Sequence, residues 1–166
     1  MRSLVGSTPA LFRHSVVNRW HCMSDLIFRG RIPDSCLYDA EFNMWLRNEG
    51  DEIVIGATSF GLFLAGTVIA FTPKPVGAEI VCTRGFGTVE CSKTVLALHA
   101  PVAFQLTATN ETAERDPGLL LRDPYSAGWM VRGSALDFAR DRARLVNAAA
   151  YRAHVLACIP GSVIEG

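Results

Sequence analysis

The sequence predicts a mainly β domain, its strands folded into a sandwich or barrel, with short helical insertions and a C-terminal helix. Short runs rich in β-branched and aromatic residues recur along most of the chain, at 44–47, 52–55, 68–71, 79–82, 87–91, 95–99, 103–109 and 129–132. Turn formers separate them: Asn48-Glu49-Gly50-Asp51, Gly56, the stretch 73–77, Arg84-Gly85 and Pro101. At 166 residues and 49% hydrophobic, the chain is long enough for one domain with a substantial core.

Two helical insertions interrupt the strands. Residues 58–64 read as a short helix with Thr58 as its hydroxyl cap and Gly66 just past its end. A second brief turn starts at Asp116-Pro117 and stops near Asp123-Pro124. The acidic residues Glu111, Glu114, Asp116 and Asp123 read as a solvated loop. Residues 134–158 predict one long helix, with Ser134 and Asp137 as a capping box. Leu136, Ala139, Ala143, Val146, Ala150, Ala153 and Ala157 form its apolar stripe, and Arg140, Arg142, Arg144 and Arg152 a solvated basic face. Pro160-Gly161 ends it.

Residues 1–24 differ in character from the rest of the chain. They hold three arginines and several serines but no acidic residue, as a transit peptide would, or as an over-extended reading frame whose true start is Met23. The second explanation is the expectation here, with the domain proper spanning 25–166.

Zero formal net charge removes the nonspecific pull that nucleic acid or an anionic membrane exerts on basic proteins. The most apolar stretch, 60–71, is too short to span a bilayer, so a cytoplasmic protein is expected, or a mitochondrial one if residues 1–24 are a transit peptide. Five scattered cysteines without CxxC spacing indicate neither zinc nor a redox pair, and reduced thiols are expected. Nucleophilic catalysis has no motif behind it. His99 reads as a half-exposed strand residue, and Arg84-Gly85-Phe86-Gly87 as a tight turn rather than a phosphate cradle.

Lysine carries the chemical signal. Of sixteen basic residues only Lys74 and Lys93 are lysines. Lys74 lies between two prolines, whereas Lys93 follows Glu90-Cys91-Ser92 at the tip of a hairpin between 87–91 and 95–99. Arginine serves charge elsewhere, but only an amine can be acylated. A lone lysine on a rigid hairpin therefore reads as an attachment point for lipoate or biotin. Biotin carriers flank that lysine with methionine; here the flanks are Ser92 and Thr94, which favours lipoate. Cys91 lies two residues away, either as a small buried hydrophobe or as a thiolate favoured by the neighbouring ammonium.

From about residue 33 to 156 the chain resembles the lipoate-carrying H proteins of the glycine cleavage system. Glu90-Cys91-Ser92-Lys93 is similar to the family's lipoylation segment, and 50–58 to its Gly-Asp-leading strand motif. Asn110-Glu111, Pro117-Gly118-Leu119-Leu120, Asp123-Pro124-Tyr125 and Gly128-Trp129 resemble its later motifs, and Ala148-Ala149-Ala150-Tyr151 its last helix. The chain departs from the family at Asn43-Met44, where a His-Glu pair is usual, at Phe71-Thr72-Pro73-Lys74-Pro75-Val76-Gly77, and at Phe104, where the family keeps a glycine. Ile32-Pro33, Leu37-Tyr38-Asp39 and the segment 70–77 look more like the paralogous lipoate-binding proteins of heterodisulfide-reductase-like sulfur oxidation, and the reading leans that way.

The resemblance implies a hammerhead β-sandwich of the lipoyl/biotinyl type and a carrier without turnover of its own. It implies lipoate in amide linkage to Lys93, with Glu90 recognised by the lipoate attachment enzymes. Its further partners would be a heterodisulfide-reductase-like sulfur-oxidising complex. In a true glycine cleavage protein they would be the decarboxylase, the aminomethyltransferase and dihydrolipoamide dehydrogenase. An unlipoylated H-like interaction module is the alternative of a different class.

Overall fold

The computed structural model describes residues 26–166. The expectations for residues 1–24 lie outside the described residues.

Eight expected runs are strands: β3 (Met44–Glu49), β4 (Glu52–Ala57), β5 (Val68–Pro73), β6 (Glu79–Ile80), β7 (Gly85–Cys91), β8 (Val95–His99), β9 (Phe104–Thr109) and β10 (Val131–Ala135). Three short strands were not anticipated: β1 (Arg29–Arg31), β2 (Leu37–Asp39) and β11 (Val163–Glu165). Three residues are too few to show a period, so these exist only because a partner strand is waiting for them. β2 to β4, β10, β9 and β6 form a six-stranded sheet in the order β2-β3-β4-β10-β9-β6, and β5, β7 and β8 a three-stranded one with β7 in the centre. All pairings in both are antiparallel, while β1 and β11 pair in parallel and bring the two ends of the described chain together.

Strand alternation divides the core into two. Met44, Leu46, Ile53 and Ile55 of the large sheet meet Val68, Phe71, Phe86 and Val89 of the small one, which makes the sandwich. Trp45 and Val54, the residues between them, point the other way into a second cluster with Phe28, Tyr38, Phe60, Tyr151 and Val155. Two glycines make this packing possible. Trp45 pairs with Gly56, where a Cβ would stand 2.7 Å from the indole ring, and a Cβ at Gly133 would lie 2.4 Å from the Phe104 ring. Phe104 is fully buried and set edge-on to Phe86 with ring centroids 6.2 Å apart.

The insertion α1 (Ser59–Ala65) forms as expected. The Thr58 hydroxyl accepts from Gly61 N and Gly66 closes the end with φ 83°. The acidic segment expected as a loop is helical in part: α2 (Glu111–Arg115) is capped by Asn110, whose side chain accepts from Ala113 N, and α3 (Gly118–Arg122) follows at once. Asn110 is buried and its amide also donates to the carbonyls of Ala127 and Trp129, at 2.8 and 2.7 Å. That bracing could not be read from spacing alone.

The single long helix expected at 134–158 does not exist. Ser134 lies in β10 opposite Gln105, so it caps nothing. Asp137 caps the short α4 (Phe138–Asp141), a 3-10 turn covers Arg142–Arg144, and the chain then extends. Val146 forms two backbone hydrogen bonds with Tyr38, each 2.9 Å, before Asn147 caps α5 (Ala148–Cys158). The stripe of Leu136 and alanines buries too little apolar area to hold a continuous helix against these competitors, and Leu136 is half exposed. Nor are the arginines a solvated basic face. Arg140 pairs with Asp141, Arg144 with Glu41 and Asp39, and Arg152 with Asp34.

Asp141 is buried, and its Oδ2 accepts from Ala103 N at 2.7 Å, tying α4 to the chain entering β9. The Arg140 guanidinium beside it, followed by the Ala103 amide, holds its carboxyl below the usual carboxylate range. A depressed folded value means stability that is present above the unfolded carboxylate value and lost as pH falls through the folded one. Asp141→Ala should cost about 1–3 kcal/mol at neutral pH, the penalty for stranding a buried donor. Urea unfolding should find that cost shrinking as the wild type is acidified. Phe104→Ala should cost about 3–5 kcal/mol in the same assay, since it removes a fully buried ring and leaves a cavity over Gly133.

Candidate functional site: the Lys93 hairpin and its groove

β7 and β8 pair with Glu90 opposite Val95 and Val89 opposite Leu96, leaving Cys91-Ser92-Lys93-Thr94 as the turn. Cys91 N donates to Thr94 O at 2.8 Å and Thr94 N returns a bond to Cys91 O at 3.3 Å, so Ser92 and Lys93 are the two central residues. Neither takes a positive φ, and the turn forms without glycine. A third bond, from Ser92 N to Thr67 O at 3.1 Å, fastens the tip to the residue ahead of β5. β7 is thus held on both edges, and the turn is braced from a third direction.

The register shifts between Gly85 and Gly87, and from Thr88 onward alternation decides what faces outward. Phe86, Val89 and Cys91 are buried, Thr88 and Glu90 exposed, and Ser92 to Val95 all stand in solvent. Lys93 has no hydrogen-bond or ion-pair partner among the described residues and lies exposed at the apex, three residues beyond the exposed carboxylate of Glu90. An acyl donor can therefore reach its amine without displacing other groups. Lys93 fits a covalently carried prosthetic group in this respect.

Cys91 does not belong to the reactive surface. It is 4% exposed, packed in the sandwich core, and burial pushes its thiol up from the ordinary value. The idea of a thiolate assisted by the lysine therefore fails: the side chain points to the other face of β7. Cys36, Cys82 and Cys91 form no disulfide.

A groove of about 460 Å³ runs beside the hairpin. Leu62 and Ala65 of α1 form one wall, Leu96 and His99 of β8 another, and Phe42 and Asn43 the end. His99 is half-buried as expected. Its ring stacks on Phe42 with centroids 4.3 Å apart, and Nδ1–H donates to Thr83 O at 2.8 Å. Sequence reasoning missed this groove, because its walls come from segments more than fifty residues apart whose meeting is set by the two sheets.

The end of the groove is built with care. Asp39 is buried, and its Oδ1 accepts from Glu41 N and Phe42 N at 3.0 and 3.1 Å, folding the chain back after β2. Burial, the dominant effect, raises its carboxyl above the usual range against the pull of those amides and Arg144. Asn43 follows with φ 55°, held by Tyr151, whose hydroxyl donates to Asn43 Oδ1 at 2.7 Å and lies 2.8 Å from Thr58 Oγ1. The C-terminal helix thereby fixes the groove's end through one hydroxyl.

A sequence model described as glycine cleavage H-protein matches residues 36–157. The chain belongs to the glycine cleavage H-protein family. Glycine cleavage system H proteins of Bacillus cereus strains B4264 and AH187 are each 38% identical over 106 residues, 64% of this chain and 83% of theirs. The crystal structure of a glycine cleavage system H protein from Mycobacterium marinum superimposes with a TM-score of 0.63 at 27% identity, covering 74% of this chain and 97% of that one. The mainly β fold is the family's, and H proteins are non-catalytic lipoyl carriers. Among the described residues no group of three or more His, Cys, Asp or Glu is placed to hold a metal, and no helix is long and apolar enough to cross a membrane.

Tyr151→Phe should lower stability by roughly 1–2 kcal/mol in thermal or urea unfolding, because Asn43 then loses its donor in a partly buried site. Alkylation followed by peptide mass mapping should find half-buried Cys82 labelled well before Cys91 in the native protein, and both labelled at similar rates in urea.

Proposed function

We propose that Lys93 carries lipoate through an amide on Nζ, and that the loaded arm serves the glycine cleavage partners. The observation that carries the reading is the exposed, unpartnered amine at the apex of a turn braced by three backbone bonds. Attachment enzymes would bring the lipoyl acyl group in activated form. Nζ bonds to the acyl carbon and loses a proton, and the activating group leaves. Glu90, exposed on the same strand three residues earlier, is the side chain they would read. Phe104, where the family keeps a glycine, is no obstacle on the surface, since its ring is buried over Gly133.

When bound, lipoate supplies a dithiolane whose opening takes up a transferable group and reducing equivalents. The chain's own residues display the arm and exclude water from part of it. Phe42, Leu62, Ala65 and Leu96 offer apolar walls beside the hairpin where a short hydrocarbon arm can rest between visits. H proteins are non-catalytic carriers, so the reaction belongs to the partners.

The relatives found bear the glycine cleavage name, which supports an aminomethyl cargo and the decarboxylase, aminomethyltransferase and dihydrolipoamide dehydrogenase as partners, in the cytoplasm. The lean towards a sulfur-oxidising complex gains no support from them.

Intact-mass measurement on protein from a lipoylation-competent native host is the test. The wild type should carry one lipoyl group and Lys93→Arg none, while Lys74→Arg stays fully modified. Glu90→Gln should slow modification without changing stability. A bare wild type in a host that loads its other carriers would sink the proposal.

A further inference from the structure

The two sheets differ in what they show to solvent. β3, β4 and β10 of the large sheet carry Arg47, Glu49, Glu52 and Arg132, joined by ion pairs into one network. β5, β7 and β8 together hold a single Asp, Glu, Lys or Arg, which is Glu90. Exposed Thr72, Thr88, Val95 and Ala97 surround it on the outer face of the small sheet.

Register sets aliphatic side chains on either side of that carboxylate. Glu90 faces Val95 across one ladder and Ala70 across the other. The register shift between Val68 and Ala70 inserts Ile69, so β5 offers two residues opposite one. Ile69 is 53% exposed and Val95 60%. Single exposed hydrophobes are ordinary, but these two flank one carboxylate in one cross-strand row. Thr72 and Ala97, diagonal to Glu90 on the same face, carry no charge. Both arginines of α2 and α3, the helices bordering β5, are taken by Glu111 and Asp116. Glu90 has no ion-pair partner among the described residues, and the cation closest to it along the chain, Lys93, is the acyl acceptor.

We infer, on the reading that Lys93 is lipoylated, that Ile69, Glu90 and Val95 form the strip by which the acylating enzyme recognises this carrier. That enzyme meets the strip with a cationic side chain set among apolar ones. A carboxylate closed against an apolar surface needs a cation to offset its lost hydration, which fixes the charge of the partner's group. Scarce charge and apolar anchors are also what the centre of a protein interface shows. Any enzyme that transfers an acyl group to Nζ must close on the turn itself. A specific interface covers roughly 800 Å² of each partner, a patch of about 16 Å radius. Glu90 lies within about 10 Å of Lys93 along the chain and neighbouring strands stand about 4.8 Å apart, so such a patch takes in the strip. Enzymes that use the loaded carrier meet the far end of the arm instead.

The experiment follows lipoyl transfer to the whole chain by the native host's lipoate attachment enzyme, read by intact mass. Val95→Ser and Ile69→Ser should each lower kcat/KM about tenfold, the worth of one buried aliphatic contact, while Val95→Ile keeps the wild-type rate. Val81→Ser should change nothing, because Val81 is as exposed as Val95 but precedes β7, at the end away from the turn. Acetylation of Lys93 by an N-hydroxysuccinimide ester reports only the accessibility of the amine and should be equal in all of them. Acetylation slowed together with transfer would mean a disturbed turn and overturn the strip's role. Unchanged transfer in both serine variants would overturn it too, leaving Lys93 a lipoyl site recognised through other residues. Normal transfer with slowed oxidation of the loaded variants by dihydrolipoamide dehydrogenase would give the strip to that partner instead. A wild type left bare by the enzyme would remove the lipoylation reading itself, and the strip's role with it.

Discussion

The inward direction of Cys91 is the constraint on which the site depends. Val89 and Cys91 fill the space between the sheets, joined by Phe86 across the register shift at Gly85–Gly87. A slip of one residue would turn the buried set to solvent and bring Glu90 into the core. Because burial fixes the parity of β7, the turn falls on Ser92-Lys93 and the amine faces out. The residue that looked like a reactive neighbour of the lysine is the one that aims it.

Rigidity around the tip has a local origin as well. A two-residue turn without positive φ lacks the twist-matching geometry that favours glycine-containing hairpin turns, so by itself it would be a weak closure. The bond from Ser92 to Thr67 supplies what the turn lacks, and β5 on the far edge of β7 keeps the hairpin from fraying. A carrier gains from this arrangement: mobility belongs to the attached arm, while its root stays in one place for every partner.

Burial also separates roles that the residue types leave mixed. Asp39, Asp141 and Asn110 are polar groups in the interior, and each is spent on backbone amides or carbonyls that shape a turn. Asp141 and Asn110 are structural because their hydrogen bonds are committed, while Asp39 turns the chain with Oδ1 and keeps Oδ2 without a hydrogen bond, 3.5 Å from Arg144. Lys93 and Glu90 are available because theirs are not. Phe104 illustrates the same division. Its side chain packs where Gly133 leaves room, one strand away in β10.

The sequence by itself determined the β class, eight strands, the capped α1 and the lysine hairpin, because each rests on patterns a few residues long. Alternation, side-chain caps and turn formers act locally and are written locally. Tertiary structure alone decided the rest. The 134–158 segment had helical spacing throughout, yet pairing with β9 and Tyr38 outcompeted a stripe of alanines with little area to bury. β1 and β11 exist because distant chain ends meet, β2 because β3 and Val146 flank it, and the groove because remote segments come together. Such features depend on contacts between residues far apart in the chain, whose free energy no short window of residues contains.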